Sequence, residues 1–365
     1  MTAFELFFLI GLSLYLIQLF VFTIGASAKY KKIKEEQYPS ASLIVAARNE
    51  ELNIIECLTS LDKLEYPENK LEIIIVNDHS TDSTGALIDE FIKGKNRFKC
   101  FIPDAPIGNL KGKTNALAYA IKKSVGEIIL TTDADCRVNP NWVKTIASYY
   151  KDNVAFVGGY TYQKAETVFG GMQGIDFLYL LTVGAGVMNI GKPSGCIGNN
   201  MSFTRKAYDE IGGYENLPFS ITEDFNLLKA IHDLKKYKVI TPIEEDILVI
   251  SEPCPTWKTL YWQKKRWGVG GMKNDWFGYF TMLGGYLSHI AIVLLPFFFT
   301  SLSLYLAVSK FMIDYFFISP VFSRLKLKLK LSHFLAFEIY FIIYVLILPF
   351  IVLPNRKVMW KGREF

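Results

Sequence analysis

A chain of 365 residues with 51% hydrophobic side chains, 21% charged ones and a mean hydropathy of +0.22 is long enough for one large folded domain and membrane segments besides. The formal net charge of +5 is small and its basic residues flank the apolar runs, which argues against a nucleic-acid partner. Cys57, Cys100, Cys136, Cys196 and Cys254 are an odd number without a CxxC spacing, so they read as reduced thiols and exclude a disulfide framework or a zinc site.

Residues 3–28 carry no charge apart from Glu5 and are long enough to cross a bilayer. Ala26-Ser27-Ala28 mimics a cleavage site, but no positive stretch precedes the apolar run, and Lys29, Lys31, Lys32 and Lys34 follow it. The expectation is a retained anchor with its N-terminus outside. From about 36 to 275 short β-rich runs alternate with polar amphipathic stretches. Residues 42–45, 71–76 and 127–132 read as buried parallel strands, with a helix beginning near Asn49 and another capped by Ser80, Thr81 or Asp82 and running to about Ile92. That rhythm predicts a doubly wound α/β sheet with ligands at the carboxyl ends of its strands. Asn49, Asp78 and Asp133 then share one rim.

Residues 169–190 are apolar and contain glycine. A span there would split the motifs described below across the bilayer, so a buried or membrane-apposed helix is expected. After Trp276 a span is expected to about Val308. A mixed segment to Phe322, with Asp314 and Pro320 in it, follows as an interfacial or re-entrant stretch, and 331–353 form the last span. The connector 324–330 and the tail 356–363 each carry four basic residues. An even number of C-terminal crossings, with a cytosolic tail, is the expected arrangement.

Five motifs stand in fixed order in the central segment, at 45–51, 76–78, 133–135, 222–224 and 263–267. Asp133 and Asp135 flank one small residue at a strand end, and extended geometry puts alternate side chains on one face. One carboxylate can then bind a divalent ion, Mg²⁺ or Mn²⁺, and the other the sugar or ribose of a nucleotide sugar. Asp78 ends the second strand, where its carboxylate can accept the imide N–H of uracil. Lys113 adds positive charge near the donor. Residues 108–114 imitate a phosphate loop but have three residues between the glycines where that cradle needs four, which excludes a nucleotide hydrolase. Thr222-Glu223-Asp224 opens a helical run to Ile231, and Asp224 is the candidate general base. Gln263, Arg266 and Trp267 project from one helix face. There Arg can clamp a diphosphate, Gln can hydrogen-bond it and Trp can stack on a sugar ring.

Taken together, these residues resemble the membrane-integrated members of glycosyltransferase family 2 over roughly residues 40–275. The resemblance implies a GT-A fold: a doubly wound mixed α/β sheet, with N- and C-terminal transmembrane helices around it. By the same resemblance Arg48, Glu50 and Asp78 serve the donor nucleotide, together with Lys113, Asp133, Gln263 and Arg266. Asp135 holds the divalent cation, Glu223 and Trp267 face the acceptor, and Asp224 is the base of an inverting transfer. Ala46 stands where such proteins often carry proline. Trp360-Lys361-Gly362-Arg363 resembles the tail of ceramide-glucosyltransferase-like enzymes. The implied partners are a nucleotide-sugar donor, a UDP-sugar, and a membrane lipid or lipid-linked acceptor. The implied place is the cytosolic face of a bacterial inner membrane. A processive polysaccharide synthase and a non-catalytic membrane scaffold are the alternatives.

Overall fold

The computed structural model describes residues 1–271, 276–360, 363 and 364. The chain forms two compact units. One is built from Ala28–Tyr162 and Gly195–Glu252, and the other from Met1–Ser27, Gln163–Ser194 and Pro253–Phe365.

The first of these units carries the sheets. Its strands are β1 Ala41–Ala47, β2 Leu71–Asn77, β3 Phe98–Phe101, β4 Ile128–Asp133, β5 Cys136–Val138, β6 Val154–Gly158, β7 Thr161–Gln163, β8 Met201–Thr204, β9 Lys238–Ile240 and β10 Val249–Ser251. Seven of them make one mixed sheet in the order β3-β2-β1-β4-β8-β6-β9. β1 runs parallel to β2 and β4, β3 extends the parallel set, and β8 is antiparallel to both β4 and β6. Leu43, Val45, Ile73, Ile75 and Leu130 are fully buried, as continuous Val, Ile and Leu runs should be when helices cover both faces. The crossovers between β1, β2, β3 and β4 are the helices Ile54–Asp62, Thr84–Ile92 and Gly112–Lys123.

Two of these helices begin later than the sequence suggests, and for one reason. The polar residues read as caps instead stitch two rim loops together. Asn49 adopts the left-handed region at φ 50° and its carboxamide oxygen accepts from the Thr81 N–H at 2.9 Å. The Ser80 N–H donates to Asn77 Oδ1 at 2.9 Å, and Asp82 Oδ1 accepts from both the N–H and the hydroxyl of Thr84. Thr84 is therefore the first helical residue.

The other unit is helical. Helices Ala3–Ala26, Val168–Asn189, Ser301–Arg324 and Leu331–Val352, and the stretch Gly278–Phe297, are long and apolar enough to cross a membrane. A further helix, Trp257–Gly271, is polar by comparison. The Thr300 hydroxyl donates to Glu5 at 2.7 Å, and Gln18 donates to the Phe280 carbonyl at 2.7 Å, so the first helix and the helix Trp276–Leu294 are antiparallel. Tyr315 meets Phe334 edge to face at 5.4 Å and Lys310 donates to Glu338 at 2.6 Å, so the last two helices are antiparallel as well.

Here the structure corrects the expected spans. The break falls at residues 295–300 and not after Val308. Pro296 sits in a single 3₁₀ turn, Leu295–Phe297, and Thr300 opens the next helix by accepting from the Ser303 N–H at 3.1 Å while Ser303 caps it in return. The segment 309–323, expected at the interface, lies inside the continuous helix Ser301–Arg324. Asp314 does not interrupt that helix because Lys310, one turn away, pairs with it at 2.7 Å. Helix Val168–Asn189 has the length of a span, yet it leaves from β7 and its chain returns to β8. Both strands belong to the sheets of the other unit, so a crossing would divide that unit across a bilayer. Most of this helix is buried. The tail motif at 360–363 lies in part outside the described residues, and Met359–Trp360 pairs with Arg363–Glu364 as a short antiparallel ladder.

Candidate active site

The register of the sheet gathers the motifs. Ala47 pairs with Asn77 and Ala46 with Asp133, so the chain leaves β1, β2 and β4 along a single edge. At that edge Arg48 donates through Nη1 to the Asp78 carbonyl at 2.6 Å and stands 3.8 Å from the Asp78 carboxylate. The Asp78 N–H in turn donates to the Ala47 carbonyl at 2.8 Å, and Asp78 is buried. Glu50 is held at both ends: its N–H donates to the Thr84 hydroxyl at 2.8 Å, and its carboxylate accepts from Asn53 Nδ2 at 2.9 Å.

A second group forms around Lys113, the second residue of helix Gly112–Lys123. Its ammonium donates to Asp133 and lies 3.7 Å from Glu223. Asp224 is beside it. A methyl group built on Gly198 would sit 3.4 Å from Asp224 Oδ2 and 3.5 Å from Lys113 Nζ. Gly198 itself is fixed by its carbonyl, which accepts from the buried Thr131 hydroxyl of β4 at 2.8 Å. A side chain at 198 would therefore meet the charged groups at van der Waals distance. Burial works against the charge on Lys113, but the carboxylates of Asp133, Glu223 and Asp224 outweigh it and hold the ammonium above the usual lysine range. Glu223 and Asp224 begin helix Glu223–Asp233, where the exposed N–H groups of the first turn favour negative charge, and the Phe225 N–H donates to Asp224 Oδ1 at 2.8 Å.

Asp135 departs from the expected geometry. β4 ends at Asp133 and β5 begins at Cys136, so Ala134 and Asp135 form the turn between them and the alternation of an extended strand does not apply. The two carboxylates are nonetheless neighbours. Burial pushes the thiols of Cys57 and Cys136 up, and the charges of Asp135 and then Asp133 push both further. Cys136 Sγ lies 3.4 Å from Asp135 Oδ1, and Cys57 Sγ lies 3.6 Å from the Asp133 carbonyl. The cysteines around the site are thus held protonated and unreactive.

Among the described residues no three His, Cys, Asp or Glu side chains converge as a cation cage. Asp133 and Asp135 alone offer a sparse set of hard oxygen donors. That suits Mg²⁺ or Mn²⁺, which keep several positions for water and phosphate oxygens, and it does not suit a resident zinc.

Gln263, Arg266 and Trp267 belong to the helical unit, on helix Trp257–Gly271. Gln263 Oε1 is buried without a hydrogen-bond partner. The Trp267 ring packs on Phe177 with centroids 5.0 Å apart, and Lys264 Nζ lies 4.3 Å over it. Lys264 also donates to Asp176 on helix Val168–Asn189, and both are almost fully buried. Sequence reading passed over Lys264 and Asp176. Their only signal was a lone acidic residue in an apolar run and a lysine inside the 263–267 motif.

Residues 42–212 match the family described as Glycosyl transferase family 2, and residues 128–353, more than half of the chain, match Glycosyl transferase family group 2. Probable glycosyltransferase YdaM of Bacillus subtilis is 29% identical over 249 residues, which cover 64% of this chain and 56% of that protein. Beta-monoglucosyldiacylglycerol synthase of Synechocystis sp. is 30% identical over 254 residues, with 65% and 49% covered. Poly-beta-1,6-N-acetyl-D-glucosamine synthase of Staphylococcus epidermidis is 28% identical over 257 residues, with 66% and 56% covered. The chain spans about half the length of the curated relatives it matches. Among solved structures, the mannosyltransferase PcManGT of Pyrobaculum calidifontis, in complex with GDP-Man and Mn²⁺, superposes with a TM-score of 0.61 at 16% identity. The match covers 92% of this chain and 98% of that one, a likeness of fold. With a GT-A sheet, an acidic rim at its strand ends and a family match across most of its length, the chain belongs to the family 2 glycosyl transferases.

Proposed function

We propose that this chain moves a sugar from a nucleotide-sugar donor, a UDP-sugar, to a membrane lipid or lipid-linked acceptor at the cytosolic face of the membrane. The observation that carries the reading is the gathering of Lys113, Asp133, Glu223 and Asp224 around Gly198, beside the rim that holds Arg48, Glu50 and Asp78. Asp78 and Glu50 bind the nucleoside, and Arg48 fixes Asp78. Asp135, with Asp133 beside it, holds the divalent cation. When bound, that cation neutralises charge on the diphosphate leaving group. Asp224 takes the proton of the acceptor hydroxyl as its oxygen bonds to the anomeric carbon and the bond to the diphosphate oxygen breaks on the opposite side. The anomeric configuration is therefore inverted. Glu223 orients the acceptor. Gln263 and Arg266 bind the diphosphate and Trp267 borders the acceptor.

A lipid acceptor is favoured because the described residues include five helices long and apolar enough to cross a membrane, which suits a membrane-embedded acceptor. The similarity to a monoglucosyldiacylglycerol synthase agrees with a lipid acceptor, and that to a poly-N-acetylglucosamine synthase keeps the polymer as the rival product. Three C-terminal crossings, the rival to the even count expected from sequence, would put the basic connector 324–330 on the cytosolic side and the tail on the other. The test is a panel of radiolabelled UDP-sugars offered to membranes containing the protein, followed by solvent partition. Label in the organic phase as a single sugar on lipid supports the reading, and label in a long water-soluble or insoluble polymer replaces it with the synthase.

A further inference from the structure

The helical unit buries charge in its centre. Lys310 and Asp314 on helix Ser301–Arg324 are fully buried, and Glu338 on helix Leu331–Val352 is 1% exposed. Lys310 Nζ lies 2.7 Å from Asp314 Oδ2 and donates to Glu338 Oε2 at 2.6 Å. The Tyr15 hydroxyl donates to Asp314 Oδ1 at 2.5 Å, and the Tyr179 hydroxyl reaches the same oxygen at 3.0 Å. His289 is fully buried as well, edge-on to Phe341 at 5.1 Å, with no hydrogen-bond partner at either ring nitrogen. Tyr15, Tyr179 and His289 come from three further helices, so each of the five long apolar helices among the described residues contributes a group.

The charges do not balance as drawn. One ammonium faces two carboxylates where no solvent reaches, and a surplus charge in such a medium is the most costly arrangement available. Glu338 Oε1 is also left without a hydrogen bond, and Asp314 Oδ2 has only the Lys310 ammonium. Both are acceptors, and neither can satisfy the other while both groups are ionised. A single proton removes the surplus charge and supplies the missing donor. The surroundings say which carboxyl carries it. Asp314 receives an ammonium and two phenols, a set that stabilises the ionised form. Glu338 receives only Lys310, on one oxygen. His289 offers no alternative, because an imidazolium there would stand near Lys310 with no acceptor at either nitrogen.

We propose that the helical unit permanently binds one proton, on the Glu338 carboxyl, and that the Lys310–Asp314–Glu338 cluster is thereby a neutral hydrogen-bonded clamp joining the helices. The site is distinct from the acidic rim of the sheet unit and does not depend on the reaction assigned to that rim. Glutamine reproduces a protonated glutamate in shape, charge and donor capacity, so Glu338→Gln should unfold at the wild-type temperature, whereas Asp314→Asn should unfold at a clearly lower one. The direct readout is infrared spectroscopy of the full chain in lipid at neutral pH. The wild type should show a protonated-carboxyl C=O band that shifts in D₂O and is lost in Glu338→Gln. His289→Phe should leave both the band and the unfolding temperature unchanged. A wild type without such a band would overturn the proposal. So would a Glu338→Gln protein that misfolds or is as destabilised as Asp314→Asn, and so would a destabilised His289→Phe, which would move the compensating charge to the imidazole.

Discussion

Lys113 donates to Asp133 and stands 3.7 Å from Glu223, so one ammonium serves carboxylates from a strand end and from a helix start more than eighty residues further along the chain. Lys113→Met should therefore lower kcat/KM for the donor on the order of 10²-fold or more, since in the proposed reaction it removes a charge that serves the diphosphate. The variant also has a pH signature. The folded state holds the Lys113 ammonium above the usual lysine range. Its contribution to stability is complete below the unfolded lysine value of about 10.4 and is lost as pH rises through the higher folded value. Thermal unfolding of the wild type should thus fall off in strong alkali, and the fall-off should be shallower in Lys113→Met.

Asp135→Asn should weaken Mn²⁺ binding at least on the order of tenfold, read by calorimetry or by the spin-resonance signal of the ion, and should abolish turnover. Donor turnover that survives both this substitution and an excess of chelator would remove the cation from the account.

The Asp176–Lys264 pair is buried beside Trp267. Breaking a buried pair on one side costs about 3–5 kcal/mol, because an uncompensated charge stays behind, whereas an apolar pair of similar volume is often neutral. Asp176→Leu and Lys264→Met should each destabilise the protein in detergent by that amount, and the double variant should regain most of it. Additive losses would show that the two side chains act separately.

Much of the sheet unit was legible because continuous Val and Ile runs admit few readings. β1, β2 and β4 lie within two residues of the expected strands, and their register brings Asn49, Asp78 and Asp133 to one rim. What the sequence concealed was tertiary. The polar residues at 80–82 looked like helix caps, and they bond to a loop some thirty residues earlier in the chain. Asp314 looked like an interruption of a span, and it is neutralised by Lys310 and two tyrosines from other helices. Asp135 looked extended, and it occupies a turn. At 80–82 and at Asp314 local propensity was overruled by partners on other elements.

The proposal of three C-terminal crossings can be tested chemically. In a cysteine-free background, Lys328→Cys should resist a membrane-impermeant thiol reagent in intact cells and Arg356→Cys should react with it. The opposite pattern would restore an even number of crossings.

Asp224 carries the central claim, that the acidic rim performs a sugar transfer with proton removal from the acceptor. The most direct measurement is nucleoside diphosphate release by purified wild type and Asp224→Asn in lipid nanodiscs with a saturating UDP-sugar, alongside equilibrium binding of the same donor. Loss of a general base removes about 10²–10⁴-fold of rate. The account predicts a kcat reduced by that factor in Asp224→Asn with the donor Kd unchanged. Equal turnover in the two proteins would contradict it.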